Sequence, residues 1–175
     1  MIRHLFTLAV VLVLATSPVL AQQPKSEHAM ITMENGGEIM LEFWPDVAPN
    51  HVKNFLELVK KGFYDGQRVH RVASKFVVQF GDPQTKTLPV TDPRVGGGGS
   101  GKTLKAEFNQ KPFTRGVLGM ARTDDPDSAS SQVYIMLGDS PHLNGQYTAF
   151  GKVTKGMDVV DRIKVGDRIK SIKTH

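Results

Sequence analysis

The stretch SSQVYIMLGDSPHLNGQYTAFGKV, residues 130–153, holds two strand-like pieces on either side of a turn-rich segment. In the first piece, Gln132–Leu137, valine, isoleucine and leucine alternate with glutamine, tyrosine and methionine, so the two sets point to opposite faces of a strand. The second piece, Thr148–Val153, follows glycine, aspartate, proline and asparagine residues that favour turns. Two short strands separated in this way are typical of a β-rich domain.

The same pattern extends along the chain. Further strands are predicted over Ala29–Glu34, Glu38–Trp44, Gln67–Val72, Phe76–Phe80, Gly116–Ala121 and Arg168–Lys173. Apolar residues at helical spacing from Val52 predict a helix within Pro45–Gly62, with Pro49 suited to its first turn and Gly62 to its end. Met157–Ile163 predicts a short second helix. Many short strands with turn signals and two helices indicate a closed or nearly closed β-barrel.

Three segments carry a family resemblance: APNHVKNFLELVKKGFYDG at residues 48–66, VHRVASKFVVQFGDP at residues 69–83, and the stretch 130–153. Together they resemble the cyclophilin family of peptidyl-prolyl isomerases, over nearly all of residues 29–173. The resemblance implies a mainly β domain over residues 29–175: a closed antiparallel barrel of about eight strands capped by two α-helices. It also implies a peptidyl-prolyl cis-trans isomerase that acts on proline-containing polypeptides, and we expect a monomer.

The reaction needs a hydrogen-bond donor but no cofactor. Rotation about an X–Pro bond crosses a barrier near 20 kcal/mol, because the amide loses its conjugation. No bond breaks, so no nucleophile, metal or cofactor is required, and no metal site is predicted. In the twisted state the prolyl nitrogen regains a lone pair, to which a guanidinium can donate. By resemblance Arg71 is this donor, and Gln79 and Phe76 complete the predicted catalytic set.

The resemblance also assigns the residues that bind substrate. They are Val77, Ala121, Arg122, Gln132, Tyr134, His142, Leu143 and Tyr147. Val77 stands where methionine is usual in the best-studied members, and Tyr134 stands where phenylalanine is usual, so the proline pocket stays largely apolar. His142 stands where tryptophan is usual and Tyr147 where histidine is common, and these changes alter the rim. We therefore expect weak binding of cyclosporin, the cyclic peptide that inhibits many members.

A second interpretation is a cyclophilin-like module that binds proline-containing segments without turnover. The presence of both Arg71 and Gln79 favours the enzyme.

The segment GGGGSGKT, residues 96–103, matches the phosphate-loop pattern G-x-x-x-x-G-K-[ST] at every fixed position. Pro89 and Pro93 precede it, however, and prolines are excluded from the central strand that such a loop follows. The segment after it, Leu104–Pro112, is too short for the required helix. We therefore predict a flexible glycine-rich connection that binds no nucleotide. Nucleic acid is not an expected partner either, because the lysines and arginines behind the net charge of +5 are scattered.

Residues 1–21 have the composition of a secretory signal. A short basic start is followed by an apolar run over Leu5–Leu14, and Val-Leu-Ala precedes the predicted cleavage after Ala21. An uncleaved anchor is the alternative, although a spanning helix needs about 20 apolar residues. Residues 22–28 are predicted to form a flexible tail, and the chain has no cysteine for a disulfide. We expect an exported, periplasmic protein.

Overall fold

The computed structural model of the protein describes residues 27–174. Its strands are β1 (His28–Met33), β2 (Glu38–Phe43), β3 (Arg71–Ala73), β4 (Val77–Phe80), β5 (Val117–Met120), β6 (Val133–Met136), β7 (Ala149–Lys155) and β8 (Ile169–Thr174). The helices are α1 (Pro49–Lys60) and α2 (Met157–Arg162). The predicted signal segment, residues 1–21, and most of the predicted tail, residues 22–28, lie outside the described residues. Within the described part, no helix is long and apolar enough to cross a membrane.

The eight strands form one antiparallel sheet in the order β3-β4-β6-β5-β7-β2-β1-β8. The two ends of this order meet, because residues that precede β3 bond to residues around the start of β8. Val69 N–H donates to Asp167 O over 2.8 Å, and Gly66 N–H donates to Ile169 O over 2.8 Å. These bonds curl the sheet into a barrel. The prediction of a mainly β, antiparallel barrel with two helices is therefore confirmed.

The ends of α1 follow from its sequence. Pro49 lies in the first turn, where its fixed φ is favourable and its missing N–H is no loss. The helix ends before Gly62, which has φ +64° and so adopts the left-handed conformation that stops a helix. Its apolar face packs into the barrel, where the ring of Phe55 lies 5.3 Å from that of Phe43 and 5.0 Å from that of Tyr64. This aromatic core fixes α1 against the sheet.

Two predicted elements differ in the structure. The strand expected over Gln67–Val72 is split: its first half pairs with residues 166–169, and at Arg71 the pairing changes to β4. A single straight ladder cannot serve both partners, so the segment changes partner at His70. The predicted glycine-rich connection is also not loose, because Asp82 and Gln132 bind its backbone.

Candidate active site

Arg71, Gln79 and Tyr134 occupy neighbouring positions on three adjacent strands. The register pairs Arg71 of β3 with Gln79 of β4, and Gln79 with Tyr134 of β6. Residues directly opposite one another in an antiparallel pair project from the same face of the sheet. The sheet therefore aligns a cation, an amide and an aromatic ring in one row, although a long segment of chain separates Tyr134 from the other two.

A chain of hydrogen bonds runs inward from Arg71. Its NH1 donates to Gln79 Oε1 over 3.1 Å, and Gln79 Nε2 donates to Gln132 Oε1 over 2.9 Å. His70 Nε2 donates to the same Gln132 oxygen over 3.1 Å. Burial lowers the pKa of His70, which favours this neutral, Nε2-protonated ring, although Asp82 and Gln132 act in the opposite direction. Arg71 itself is exposed, so its guanidinium is oriented by an inner set of amides and remains open to a ligand.

A cavity of about 240 Å³ opens beside Arg71. It is lined by Arg71, Phe76, Val77, Gln79, Ala121, Arg122, Tyr134, Leu143 and Tyr147. All of these are residues that the sequence predicted for the site. Val77, Tyr134 and Leu143 are buried and belong to one apolar cluster, so one wall of the cavity is apolar. Two cations, Arg71 and Arg122, also line it.

The wall of this cavity depends on a close approach between Tyr134 and Gly119. A Cβ atom at Gly119 would lie 2.2 Å from Tyr134 Cζ, which is closer than real contacts allow. Because Gly119 of β5 has no side chain, there is room for the phenol ring of Tyr134. The Tyr134 hydroxyl is buried and has no hydrogen-bond partner among the described residues. Burial, followed by the neighbouring Tyr147, raises the pKa of Tyr134, so the hydroxyl stays neutral.

Cation–ring contacts shape the rim. Arg122 lies over the ring of Tyr147, with its guanidinium carbon 4.4 Å from the ring centroid, and donates to Gln146 O over 3.0 Å. His142 is exposed and stacks on Phe76 with 6.0 Å between ring centroids. His142 therefore adds a small polar ring at the edge of the cavity rather than a part of its wall.

A second cavity of about 430 Å³ adjoins the first. The two share Gln79, Ala121 and Arg122, and the second is also lined by Gln132 and by residues of the glycine-rich segment. An extended peptide whose proline filled the first cavity would therefore have the second as a groove for a neighbouring residue. Gln132 is the one predicted site residue that lines only this second cavity. It lies between the groove and Gln79.

Comparison with known proteins connects this geometry to a family. The family model for cyclophilin type peptidyl-prolyl cis-trans isomerases matches residues 28–174. The chain belongs to this family. A Brucella abortus protein named "Probable peptidyl-prolyl cis-trans isomerase" is 45% identical over 148 residues, which are 83% of this chain and 76% of that protein. Peptidyl-prolyl cis-trans isomerase B of Bacillus subtilis is 39% identical over 143 residues, which are 81% of this chain and 93% of that protein.

A solved structure shares the fold of this cyclophilin. The Cryptosporidium parvum cyclophilin type peptidyl-prolyl cis-trans isomerase, crystallised in the presence of the dipeptide Ala-Pro, has a TM-score of 0.72 and 27% identity. The match covers 85% of this chain and 98% of that one. The chain is thus a cyclophilin-type peptidyl-prolyl cis-trans isomerase.

Some residues of the site were not predicted from the sequence. Gly119 was not singled out, although a glycine inside a predicted strand is a known signal of close approach by another group. Asp82 was not singled out either, because its partners are backbone groups of a distant loop. Within residues 27–174, no three histidine, aspartate or glutamate side chains converge as a metal centre would require.

Proposed function

We propose that this cyclophilin isomerises X–Pro bonds of exported proteins and assists their folding, with Arg71 as the group that stabilises the twisted amide. The single observation that supports Arg71 is its position beside a cavity of about 240 Å³ with an apolar wall, with its guanidinium bound by Gln79. A prolyl ring in this cavity would bring its nitrogen next to a permanent cation. Arginine suits this task because its guanidinium stays protonated and donates in several directions.

Each remaining residue has a physical reason for its proposed part. Phe76, Val77, Tyr134 and Leu143 hold the prolyl ring by apolar contact, which fixes one side of the rotating bond. The backbone of Ala121 and Arg122, with Gln132, lies where the flanking peptide would bind. Because the ring is held and the flanking peptide is bound separately, the protein favours the geometry in which the bond between them is twisted.

The energy required is modest for such a site. Uncatalysed exchange takes roughly 10–100 s at 25 °C. Turnover in milliseconds then requires about 7 kcal/mol of selective stabilisation of the twisted state. A charge-assisted hydrogen bond directed at the transition state supplies about 3–4 kcal/mol, and positioning of the peptide supplies the remainder.

An isomerase assay tests this function. Exchange between the cis and trans forms of an Ala-Pro peptide is followed directly by NMR, without a coupled protease. The Arg71→Ala protein serves as control. Catalysed exchange that is lost in the variant supports the proposal. Saturable binding of the peptide with no catalysed exchange would favour the alternative, a module that holds proline-containing segments.

The proposal of export is supported by residues 1–21 of the sequence, with their basic start, apolar run and Val-Leu-Ala ending. Intact-mass measurement on protein from the native host is expected to give a chain that begins at Gln22, recovered from the periplasmic fraction. Protein that retains residues 1–21 in the membrane fraction would indicate an anchor instead.

Weak binding of cyclosporin is proposed for the same site. A rim tryptophan offers the drug apolar area and an indole N–H, whereas His142 offers a smaller ring that is exposed and already stacked on Phe76. Short peptides depend more on the cavity beside Arg71 and on Arg71 itself, so their turnover is expected to be less affected.

A further inference from the structure

The glycine-rich segment that resembles a phosphate loop is bound on its N–H side by a buried carboxylate. Asp82 is 0% exposed, and its Oδ2 accepts Gly96 N–H over 2.6 Å and Gly98 N–H over 3.1 Å. Its Oδ1 accepts Gln84 N–H over 2.8 Å and so caps a short 3-10 helix. Capping therefore uses only Oδ1, whereas Oδ2 accepts the two N–H groups of the loop. In the described part of the chain, Asp82 forms no salt bridge with a cationic side chain.

The carbonyl side of the same two glycines is bound by the site. Gln132 Nε2 donates to Gly96 O over 2.8 Å and to Gly98 O over 2.8 Å. Gly96 and Gly98 are therefore held between Asp82 on one side and Gln132 on the other. Both bonds of the Gln132 amide nitrogen depend on the position of this loop.

These contacts determine which way two amides face. Because Gln132 Nε2 points to the glycine carbonyls, its Oε1 faces Gln79 and accepts from Gln79 Nε2 over 2.9 Å. Because Gln79 Nε2 is used in this way, its own Oε1 faces Arg71 and accepts from the guanidinium over 3.1 Å. A reversed Gln79 amide would direct N–H groups at a cation that has no acceptor to offer. The loop contacts of Gln132 Nε2, together with His70 Nε2, which donates to the Gln132 oxygen, thus make an acceptor rather than another donor face Arg71.

The glycine at position 98 is required by the same contact. A Cβ atom there would lie 2.1 Å from Asp82 Oδ1 and 2.7 Å from Gln84 Nε2, so a side chain would displace the carboxylate. At Gly97 the closest atom to such a Cβ is Arg94 O at 3.3 Å, which a small shift relieves. Two adjacent glycines therefore differ sharply in what they tolerate.

We propose that Asp82 is a positioning residue for isomerisation: it holds Gly96 and Gly98 against Gln132 and so fixes the Gln132 and Gln79 amides that orient Arg71. This inference rests on the proposed part of Arg71 in the reaction. Asp82 itself lines neither cavity, so it acts only through the loop and the two glutamines.

The kinetic test compares variants on a short Ala-Pro peptide. Asp82→Ala and Gly98→Ala are each expected to lower kcat about 10- to 100-fold with little change in KM, because small misplacements of a catalytic group have effects of this size. Asp158→Ala, which removes an exposed carboxylate on α2 at a residue that lines neither cavity, is expected to stay within about threefold of the wild type. Asp82→Asn keeps one acceptor oxygen and is expected to show a smaller loss than Asp82→Ala. Wild-type kinetics in a folded Gly98→Ala protein would overturn the proposal, even if Asp82→Ala fails to fold.

A double-mutant cycle separates positioning from general destabilisation. In a Gln132→Ala protein the link to Gln79 is already absent, so Gly98→Ala is expected to add less than about threefold to the loss. Independent, multiplicative losses would contradict a path through Gln132.

A structural readout distinguishes failure of this inference from failure of the proposed function. In ¹⁵N-labelled protein, the side-chain amide signals of Gln79 and Gln132 are expected to shift in Gly98→Ala and to stay in place in Gly97→Ala. Unchanged signals would overturn the positioning by the loop. Shifted signals together with a fully active Arg71→Ala protein would overturn the assignment of Arg71 instead.

Discussion

Replacement of Arg71 by alanine is expected to separate catalysis from folding. The side chain is exposed, and its bonds within the protein are one hydrogen bond to Gln79 and a contact with Phe76 at 5.7 Å from the ring centroid. Surface changes of this kind alter the free energy of unfolding by less than about 0.5 kcal/mol. Loss of one charge-assisted donor to the transition state costs about 3–4 kcal/mol, so kcat/KM is expected to fall by about 100- to 1,000-fold.

The assay measures exchange of an Ala-Pro peptide by NMR, with circular dichroism and thermal unfolding recorded on the same samples. Arg71→Lys is expected to fall between the wild type and Arg71→Ala, because an ammonium keeps the charge but cannot span Gln79 and the prolyl nitrogen with a planar fork. The matched control is Arg162→Ala, which removes an arginine with 69% side-chain exposure that pairs with Asp158. A folded Arg71→Ala protein with kcat/KM within about threefold of the control would refute the lone-pair mechanism.

Four further outcomes are expected. Tyr134→Phe removes a buried hydroxyl without a partner and should raise the free energy of unfolding by about 1 kcal/mol while activity is retained; a lower Tm would contradict this. Burial lowers the pKa of His51. For Glu107, burial acts to raise the pKa, but hydrogen bonds from the start of α1 outweigh this effect and lower it. Both groups thus bind protons more readily when unfolded, so Tm should fall as the pH drops below about 6.5, and His51→Asn, which keeps a donor but does not titrate, should flatten this slope. Titration calorimetry with millimolar Mg-ATP should give no saturable heat, and binding that disappears in Lys102→Ala would show a nucleotide site. His142→Trp should tighten inhibition by cyclosporin about 30- to 150-fold, from about 2–3 kcal/mol of ring contact and hydrogen bonding, and equal inhibition constants would show that this position does not control affinity.

Much of the site was predictable because its residues lie in short, ordered motifs. Arg71, Phe76, Val77 and Gln79 fall within one stretch of nine residues, and the structure brings them to one cavity with Tyr134 of a second motif. The bounds of β6 were predictable to within one residue for a related reason, since alternation along a strand depends only on the nearest residues.

The sequence by itself determined the elements whose cause is local: the strands other than the one expected over Gln67–Val72, the start of α1 at Pro49 and its end before Gly62. The tertiary structure decided contacts between distant residues, because they depend on register and on chain packing. Glu107, for example, binds the N–H groups of Asn50 and His51, although the first of these lies 57 residues away, and no nearby residue supplies a side-chain cap.

The glycine-rich segment shows most clearly the difference between what the sequence determined and what the tertiary structure decided. From sequence it resembles a phosphate loop, and its flanking prolines exclude that fold without saying what the glycines contact. Only the closed barrel brings Asp82 to the N–H groups of Gly96 and Gly98 and Gln132 to their carbonyls. Hydrogen bonds are directional over about 3 Å, so their partners are decided by where the folded chain places donors and acceptors, not by their spacing along it.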